Sequence, residues 1–535
     1  MNPKDPLHDQ RELLAALYRP DVYPHPVRSI AVIETHISWV VLAGDYAYKL
    51  KKSIDLGFLD FSTLEKRRHC CAEEVRLNRR TAPDIYIDVV AITGSAQEPR
   101  LAGSGSIIEY AVRMHRFARD EELDVLLAGG RLTSADMREL AAAVAAFHAS
   151  AERSRDGSFG SPALVLQQAL QNFTQIAPLS LEPHRQARLN QLRVWTETEH
   201  ARVAPIIAHR VRQGFVRECH GDLHLANMVR HAGRILAFDC IEFNPQLRWI
   251  DVINDLAFTL MDLRHRDRPD FARVALNAYL EHGGDYRGHA LLPFFLVYRA
   301  LVRAKVAAIR ACQPGVAATD RQLSLADCDA HLHLAIACTR PCRPLLIITH
   351  GVSGSGKSHC SSSLIEVRDW VRLRSDVERK RLAGLRPLDA STPADKQSLY
   401  TTVATTRVYA HLAEMAAGLL ASGTSVIVDA AFLERRQRDD FRALALRLGA
   451  GFAILATRAD HPELVRRIEA RARAGIDASE ATVEVLDWQI RMQQPIGTAE
   501  QQFAVHMAPP FRFDAAAIAG ALEAVAGVAQ ASACR

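Results

Sequence analysis

The spacing of apolar positions divides the chain into stretches of different element type. Ile30-Ala31-Val32-Ile33 and Trp39-Val40-Val41-Leu42 are short β-branched runs, and a Gly44-Asp45 turn leads into Tyr46-Ala47-Tyr48-Lys49-Leu50. These predict two or three antiparallel strands with tight connections. From Ser62 to Arg80 the pattern is helical and highly charged, with Leu64, Cys71, Val75 and Leu77 as apolar markers. Ile85–Ile92 and Ile107–Met114 read as further strands, giving a small β-rich lobe that carries one helix. Ser134 to His148 is alanine-rich and helical, with Ser134 as N-cap. Helical patterns continue to about residue 335, interrupted by a loop-and-strand region from Phe215 to Asp251. Pro341 and Pro344 bracket a linker. Beyond it, strands at Leu345–Thr349, Ser425–Asp429 and Gly451–Thr457 alternate with longer helices, one of them expected over Ser361–Trp370. Such alternation predicts a parallel sheet between helices. The Ala-rich stretch after Ala515 predicts a last helix and a frayed tail.

Composition narrows the class. At 535 residues the chain exceeds one ordinary core and predicts two or three domains. Hydrophobic residues at 48% and charged residues at 24% describe a globular protein, not a disordered one. A net charge of +5 gives weak grounds for a nucleic-acid partner. The best apolar stretch, His289 to Val302, is broken by Arg299 and followed by Arg303, so no membrane span is expected. Met1-Asn2-Pro3-Lys4-Asp5-Pro6 lacks the apolar core of a secretory signal, and a cytoplasmic location is the default. The ten cysteines form no Cys-x-x-Cys pair. Cys328, His331, His333, Cys338 and Cys342 match no common zinc spacing, and read as buried thiols and surface histidines.

One motif states its ligand directly. Gly351-Val352-Ser353-Gly354-Ser355-Gly356-Lys357-Ser358 follows the apolar run Leu345–His350 and opens a helix. Strand, glycine-rich turn, helix, then Lys and Ser, is the phosphate-binding loop. Glycines let successive N–H groups turn inward around an anion, and the helix points its positive end there. Lys357 can reach terminal phosphates of ATP, and Ser358 can offer a hydroxyl to Mg²⁺.

A second constellation lies upstream. His220-Gly221-Asp222-Leu223-His224-Leu225-Ala226-Asn227 precedes Ile235-Leu236-Ala237-Phe238-Asp239. One carboxylate can accept the proton of an attacking hydroxyl, while an amide and a second carboxylate hold Mg²⁺. The pattern resembles the catalytic loop and metal-binding Asp of the protein-kinase-like fold. Its His-Gly-Asp-Leu-His form is closest to the aminoglycoside phosphotransferase and choline kinase branch, which phosphorylates small molecules. The resemblance implies Asp222 as catalytic base, Asn227 and Asp239 as Mg²⁺ ligands, and His220 as a support of the loop. It implies Lys49, with Lys51 as second candidate, on the ATP phosphates. Their partner would be Glu74, with Glu73 the alternative. Glu109-Tyr110-Ala111-Val112 resembles the hinge whose backbone meets adenine. The glycine-rich loop of protein kinases is missing, and Thr35-His36-Ile37-Ser38 stands in its place. Glu242 falls one position later than the usual Asp-x-Glu. Asp251 and Asp255 read as acceptors bracing the loop.

In the C-terminal part, Ser375-Asp376-Val377-Glu378-Arg379 resembles the acceptor side of polynucleotide kinases and zeta toxins, with Asp376 as base and Arg379 as substrate contact. Asp429 ends a buried strand, where it can order Mg²⁺ through water. The run Glu463–Arg473, leading to Gly475, resembles the arginine-bearing lid of nucleotide and gluconate kinases, with Arg467, Arg471 and Arg473 as candidates. An ordinary surface helix with pairs such as Glu469–Arg473 fits it equally.

The sequence therefore predicts an α+β, bilobal, protein-kinase-like domain over residues 1–340, with a β-rich lobe at about 25–115 and a helical lobe at about 116–335. An α/β P-loop domain with a parallel sheet between helices follows over 344–510, then a C-terminal helix and tail over 511–535. The implied activity is ATP- and Mg²⁺-dependent phosphoryl transfer to a hydroxyl of a small molecule, with two separate nucleotide sites. Two other readings fit the same residues: the C-terminal domain as a regulatory NTPase, or the N-terminal domain as a nucleotide-binding scaffold without catalysis.

Overall fold

The computed structural model describes residues 6–55, 57, 59–155, 157–179, 182–313, 315–387, 389, 391–392, 401–474, 478–507 and 513–527. The chain forms two compact units. The first comprises residues 1–139, 146–169 and 204–262, and the second residues 140–145, 170–203 and 263–535.

The first unit is built on a six-stranded antiparallel sheet of β1 (Ile30–Glu34), β2 (Ser38–Ala43), β3 (Tyr46–Lys51), β4 (Tyr86–Gly94), β5 (Pro99–Leu101) and β6 (Ile107–His115). Its spatial order is β1-β2-β3-β6-β4-β5. The period of two along β3 sends Tyr48 and Leu50 into one apolar cluster with Val41, Ile92 and Ala111. Ala47 faces the other way, into a cluster with Cys71 and Val75 of helix Leu64–Asn78. That face also receives Lys49 and Lys51. The helix begins at Thr63, whose hydroxyl accepts from the N–H of Lys66 at 3.3 Å. Two small ribbons complete the unit, β7 (Val216–Glu218) with β10 (Trp249–Asp251), and β8 (Met228–His231) with β9 (Arg234–Ala237).

In the second unit, five parallel strands take the order β12-β13-β11-β14-β15: β11 (Leu345–His350), β12 (Trp370–Arg374), β13 (Ser425–Asp429), β14 (Gly451–Thr457) and β15 (Ala504–Met507). Every residue of β11, β13 and β14 is buried, which is why these runs are continuously apolar instead of alternating. Edge strand β12 is met by helix Pro269–Gly283. The Asn277 side chain accepts from the N–H of Arg372 at 2.8 Å and donates to the carbonyl of Trp370 at 3.0 Å. Asp369, just before the strand, pairs with Arg264 at 2.9 Å and Arg273 at 3.0 Å.

Two local expectations change. The cap of helix Ser134–Ser150 is Thr133, not Ser134, because Thr133 and Asp136 exchange bonds in a capping box. The helix after the glycine-rich loop runs Lys357–Val367, and Trp370 already belongs to β12, since it pairs with Ser425.

Candidate phosphate-transfer sites

In the first unit the lysine side of β3 faces Glu74. Its buried carboxylate takes both lysines, Lys49 Nζ at 2.9 Å and Lys51 Nζ at 2.7 Å. Past Glu74 the two diverge: Lys49 also pairs with Asp239, and Lys51 with Glu242. Burial would lower both ammonium pKa values, but Asp239 and Glu74 at Lys49, and Glu242 and Glu74 at Lys51, raise them above the usual range. The Glu74 carboxyl is held below its usual range, against its own burial, by the two lysines. Lys51 and Glu242 are closed from solvent, at 1% and 4% side-chain exposure, whereas Asp239 is 41% exposed. Lys49 is thus the lysine that faces an open carboxylate. The late position of Glu242 is also explained, because its carboxylate is spent on Lys51.

The loop carrying Asp222 is stitched to the strand end carrying Asp239. Phe238 donates its N–H to the carbonyl of Asn227 at 2.9 Å, and its carbonyl lies 2.9 Å from His220 Nε2. Burial lowers the His220 pKa. The neutral ring donates through Nε2 to Phe238, and Nδ1 accepts the N–H of Asp222 at 3.3 Å. Asp255 braces the loop from below, accepting from the N–H groups of His220 at 3.0 Å and Gly221 at 2.8 Å and from His148 Nε2 at 3.1 Å. Its burial would raise the carboxyl pKa, yet His148 and His220 bring it down to about 2. Gly221 has φ +88°, and a Cβ there would stand 2.8 Å from the carbonyl of Leu247, so the sharp turn before Asp222 requires glycine. Asn227 donates to both the main-chain oxygen and the carboxylate of Asp222, at 3.0 and 3.1 Å. His224 Nε2 lies 3.3 Å from the same carboxylate.

Two expectations fail here. Glu109 is not at a hinge. It sits inside β6, paired with Ile92, and its buried carboxylate binds Arg67 Nε at 2.9 Å and Gln10 Nε2 at 2.7 Å. The strand runs on to His115, so the crossing to the helical residues begins at Arg116. Asp251 does not brace the loop; Arg210 takes its carboxylate at 2.7 and 2.9 Å.

In the second unit, Gly351, Gly354 and Gly356 all have positive φ. A Cβ at Gly354 would stand 2.9 Å from the carbonyl of Leu464. The Ser355 hydroxyl donates to the carbonyl of Val352 at 2.7 Å and lies 2.8 Å from Thr457 Oγ1. The Ser353 N–H donates to Gln489 Oε1 at 2.7 Å. Lys357 Nζ donates to the carbonyl of Val352 at 2.8 Å, and among the described residues no carboxylate is in ion-pair contact with it. Burial lowers its pKa, opposed by the charges of Asp429 and Asp376 and reinforced by Arg471. An enclosed ammonium with no carboxylate in ion-pair contact among the described residues, at the base of a loop where Gly351 and Gly354 leave no room for a Cβ, fits a polyphosphate.

Around Lys357 the predicted residues fall unevenly. Ser358 is in the first turn of helix Lys357–Val367. Asp429 is buried, and Ser361 rather than Ser358 donates to it, at 2.9 Å. Asp376 is in the first turn of helix Ser375–Leu382. Arg379 is buried on the same helix, with Nη1 3.4 Å from Thr405 Oγ1. Arg467 donates to the carbonyl of Gly354 at 3.1 Å and to Glu463 at 2.6 Å. Arg471 donates to the carbonyl of Ala481 at 3.4 Å. Arg473 is exposed and bonds the carbonyl of Glu469 instead of its carboxylate, so the expected Glu469–Arg473 ion pair is not formed. Gly475 lies outside the described residues.

Sequence reasoning missed Gln489, Ser361 and Thr457. Gln489 lies on helix Val483–Met492, and Gln493, just past its end, meets His350 Nε2 at 3.0 Å. The other two are ordinary Ser and Thr until the fold assembles them. His331 was expected at the surface but is buried, 3.3 Å from Asp327 and stacked at 3.7 Å on His265, because its helix turns that face inward.

Comparison with known proteins finds matches for two successive stretches of the chain. Residues 92–292 match the family model described as "Phosphotransferase enzyme family", and residues 346–496 that described as "AAA domain". A protein of Mycobacterium tuberculosis (strain H37Rv) is 29% identical over 462 residues, covering 85% of this chain and 89% of its own. Among solved structures, a gluconokinase from Sinorhizobium meliloti is 22% identical, covering 34% of this chain and 92% of its own, with a TM-score of 0.23. A choline/ethanolamine kinase family protein from Mesorhizobium loti is 12% identical, covering 62% of this chain and 99% of its own, with a TM-score of 0.35. The family matches, set on the two folds above, identify a phosphotransferase-family region over residues 92–292 followed by an AAA-type P-loop domain over residues 346–496.

Proposed function

We propose that the chain carries two separate ATP sites and transfers the γ-phosphoryl group of ATP to a hydroxyl of a small molecule. The observation that carries this reading is the joining of the Asp222 loop to the Asp239 strand end through both polar groups of Phe238, with Lys49 paired to Asp239 from the opposite side. Bound ATP supplies the phosphoryl group, and Mg²⁺ neutralises charge on its oxygens. Asp222, fixed by Asn227, takes the proton of the acceptor hydroxyl as the hydroxyl oxygen bonds to the γ-phosphorus and the bond to the bridging oxygen breaks, with ADP as the leaving group. Asp239 and the Asn227 oxygen would hold the cation. Lys49, kept in place by Glu74, would meet the α- and β-phosphates.

At the second site the N–H groups of the Gly351–Ser358 loop and Lys357 hold the phosphates, and Ser358 and Asp429 serve Mg²⁺. Asp376 serves as base, Arg379 as an acceptor contact, and Arg467 and Arg471 as nearby cations. The test is transfer from γ-labelled ATP to a metabolite extract, comparing wild type with Asp222→Ala and Lys357→Ala. Labelled products should divide into a set lost with Asp222 and a set lost with Lys357. Unchanged labelling in both variants would sink the assignment. ATP turnover without any labelled acceptor, lost in Lys357→Ala, would instead make the second site a hydrolase.

A further inference from the structure

We infer that Glu281, on helix Pro269–Gly283, is a positioning residue for phosphoryl transfer at the Gly351–Ser358 loop. This rests on the reading of that loop as a catalytic site. Glu281 lies outside the strands and helices that form the P-loop fold, more than sixty positions before β11 begins. Its carboxylate, 16% exposed, meets Arg372 Nη2 at 3.1 Å and Arg374 Nη1 at 2.8 Å. These arginines are two apart on β12 and so share a face. Burial would raise the Glu281 carboxyl pKa, but Arg374 and Arg372 bring it below the usual range and keep it ionised.

From Glu281 two connections, one through side-chain polar contacts and one through the main chain, lead to the two acids whose charges act on Lys357. Through Arg372, the first reaches the hydroxyls of Ser362 and, at 3.5 Å, Ser361. Ser361 in turn donates to Asp429 Oδ2 at 2.9 Å. The second runs through Arg374, which immediately precedes the helix carrying Asp376. The far end of that helix is held as well, since Arg381 Nη2 donates to the main-chain oxygen of Glu281 at 2.6 Å. One residue therefore anchors the Asp376 helix at both ends and orients the arginine behind Asp429. Arg372 Nε is buried without a hydrogen-bond partner. Without Glu281 the Arg372 guanidinium is held by one edge only, and the carboxylate shared by these two partly buried cations is lost, which shifts the charge balance beside Asp429 and Asp376.

Glu281→Gln in the full chain provides the test, with Lys357→Ala and Asp222→Ala as references. The Lys357-dependent kcat should fall about 10- to 100-fold, the cost of a small misplacement of reacting groups. Binding of a fluorescent ATP analogue and the Asp222-dependent activity should stay within about twofold of wild type. Glu281→Asp should recover part of kcat. If Glu281→Gln does not fold, Arg374→Gln, which leaves the carboxylate on Arg372, carries the same expected loss. An unchanged kcat in a folded Glu281→Gln protein overturns the role of Glu281 alone, as does an equal loss of both activities with ATP binding. If Lys357→Ala changes nothing, the catalytic reading of the loop falls, and the role of Glu281 with it.

Discussion

Asn227 holds Asp222 twice, by its amide to the main-chain oxygen at 3.0 Å and to the carboxylate at 3.1 Å. With Nδ2 committed, Oδ1 is the atom left for a cation. Asp222→Asn should therefore lower transfer to the first site's acceptor by about 10²- to 10⁴-fold, the range for loss of a general base, with ATP binding retained. Asn227→Ala should do less to the proton step and more to the Mg²⁺ concentration needed for half-maximal rate. A magnesium titration of both variants checks this. Equal magnesium dependence in Asn227→Ala and wild type would remove Asn227 from the metal.

The two strand lysines should separate by assay. Lys51→Met leaves Glu74 and Glu242 buried with one cation fewer between them, and should cost about 3–5 kcal/mol in stability. Lys49→Met also leaves Glu74 with one lysine, but its other partner, Asp239, is solvent-accessible. Its main effect should be weaker ATP binding and slower transfer. Chemical unfolding beside nucleotide titration distinguishes the two, and the opposite ranking would exchange their roles.

At the phosphate loop, Lys357→Ala should abolish ATP binding to the second unit without altering the first. Gly354→Ala should also weaken it, because φ is +81° and the new Cβ would meet the Leu464 carbonyl at 2.9 Å. A drop of at least about tenfold in affinity is expected if the added carbon displaces the loop by tenths of an ångström. Calorimetry in the Asp222→Ala, Lys49→Met background isolates this site.

Acid should loosen the second unit through His350. Its Nδ1 faces the carbonyl of Phe432 at 3.0 Å and its Nε2 faces the Gln493 amide at 3.0 Å, an arrangement that suits the neutral ring with Nε2 accepting. Burial pushes its pKa down to about 4. An unfolded chain protonates this histidine near pH 6.5, well before the folded one. Stability contributed by His350 is thus complete above about pH 6.5 and is lost as pH falls toward about 4, by up to about 3 kcal/mol. Thermal unfolding from pH 7 to 4.5 should show a shallower decline in His350→Asn than in wild type. Parallel declines would count against it.

What the sequence made legible was local chemistry at fixed spacing. The phosphate loop, the His220–Asn227 loop and the lysines two apart on a strand all depend on short periodicities, and each lies where its spacing puts it. Glu109 shows the limit. A Glu-Tyr-Ala-Val tetrapeptide inside a strand looks the same as one leaving it, and only the pairing of β6 out to His115 sets the difference. Gln10 was invisible for another reason. It bonds the carbonyl of Lys51 at 3.1 Å and Glu109 at 2.7 Å, contacts that span 41 and 99 positions with no motif to announce them. The pairing of Glu281 with Arg372 and Arg374 is of the same kind, since charged residues about ninety positions apart carry no mutual signature.

The Asn277 clasp on β12 has a consequence for dissecting the chain. An outermost parallel strand with free N–H and C=O groups is a template for adding strands from other molecules. Here a single amide occupies an N–H and a C=O of that template, and its helix covers the approach. A fragment starting at the Pro341–Pro344 linker would lose this guard and uncover Arg372 and Arg374 at the same time. Such a fragment should self-associate, its colloidal behaviour governed by a helix cut away with the other half of the chain.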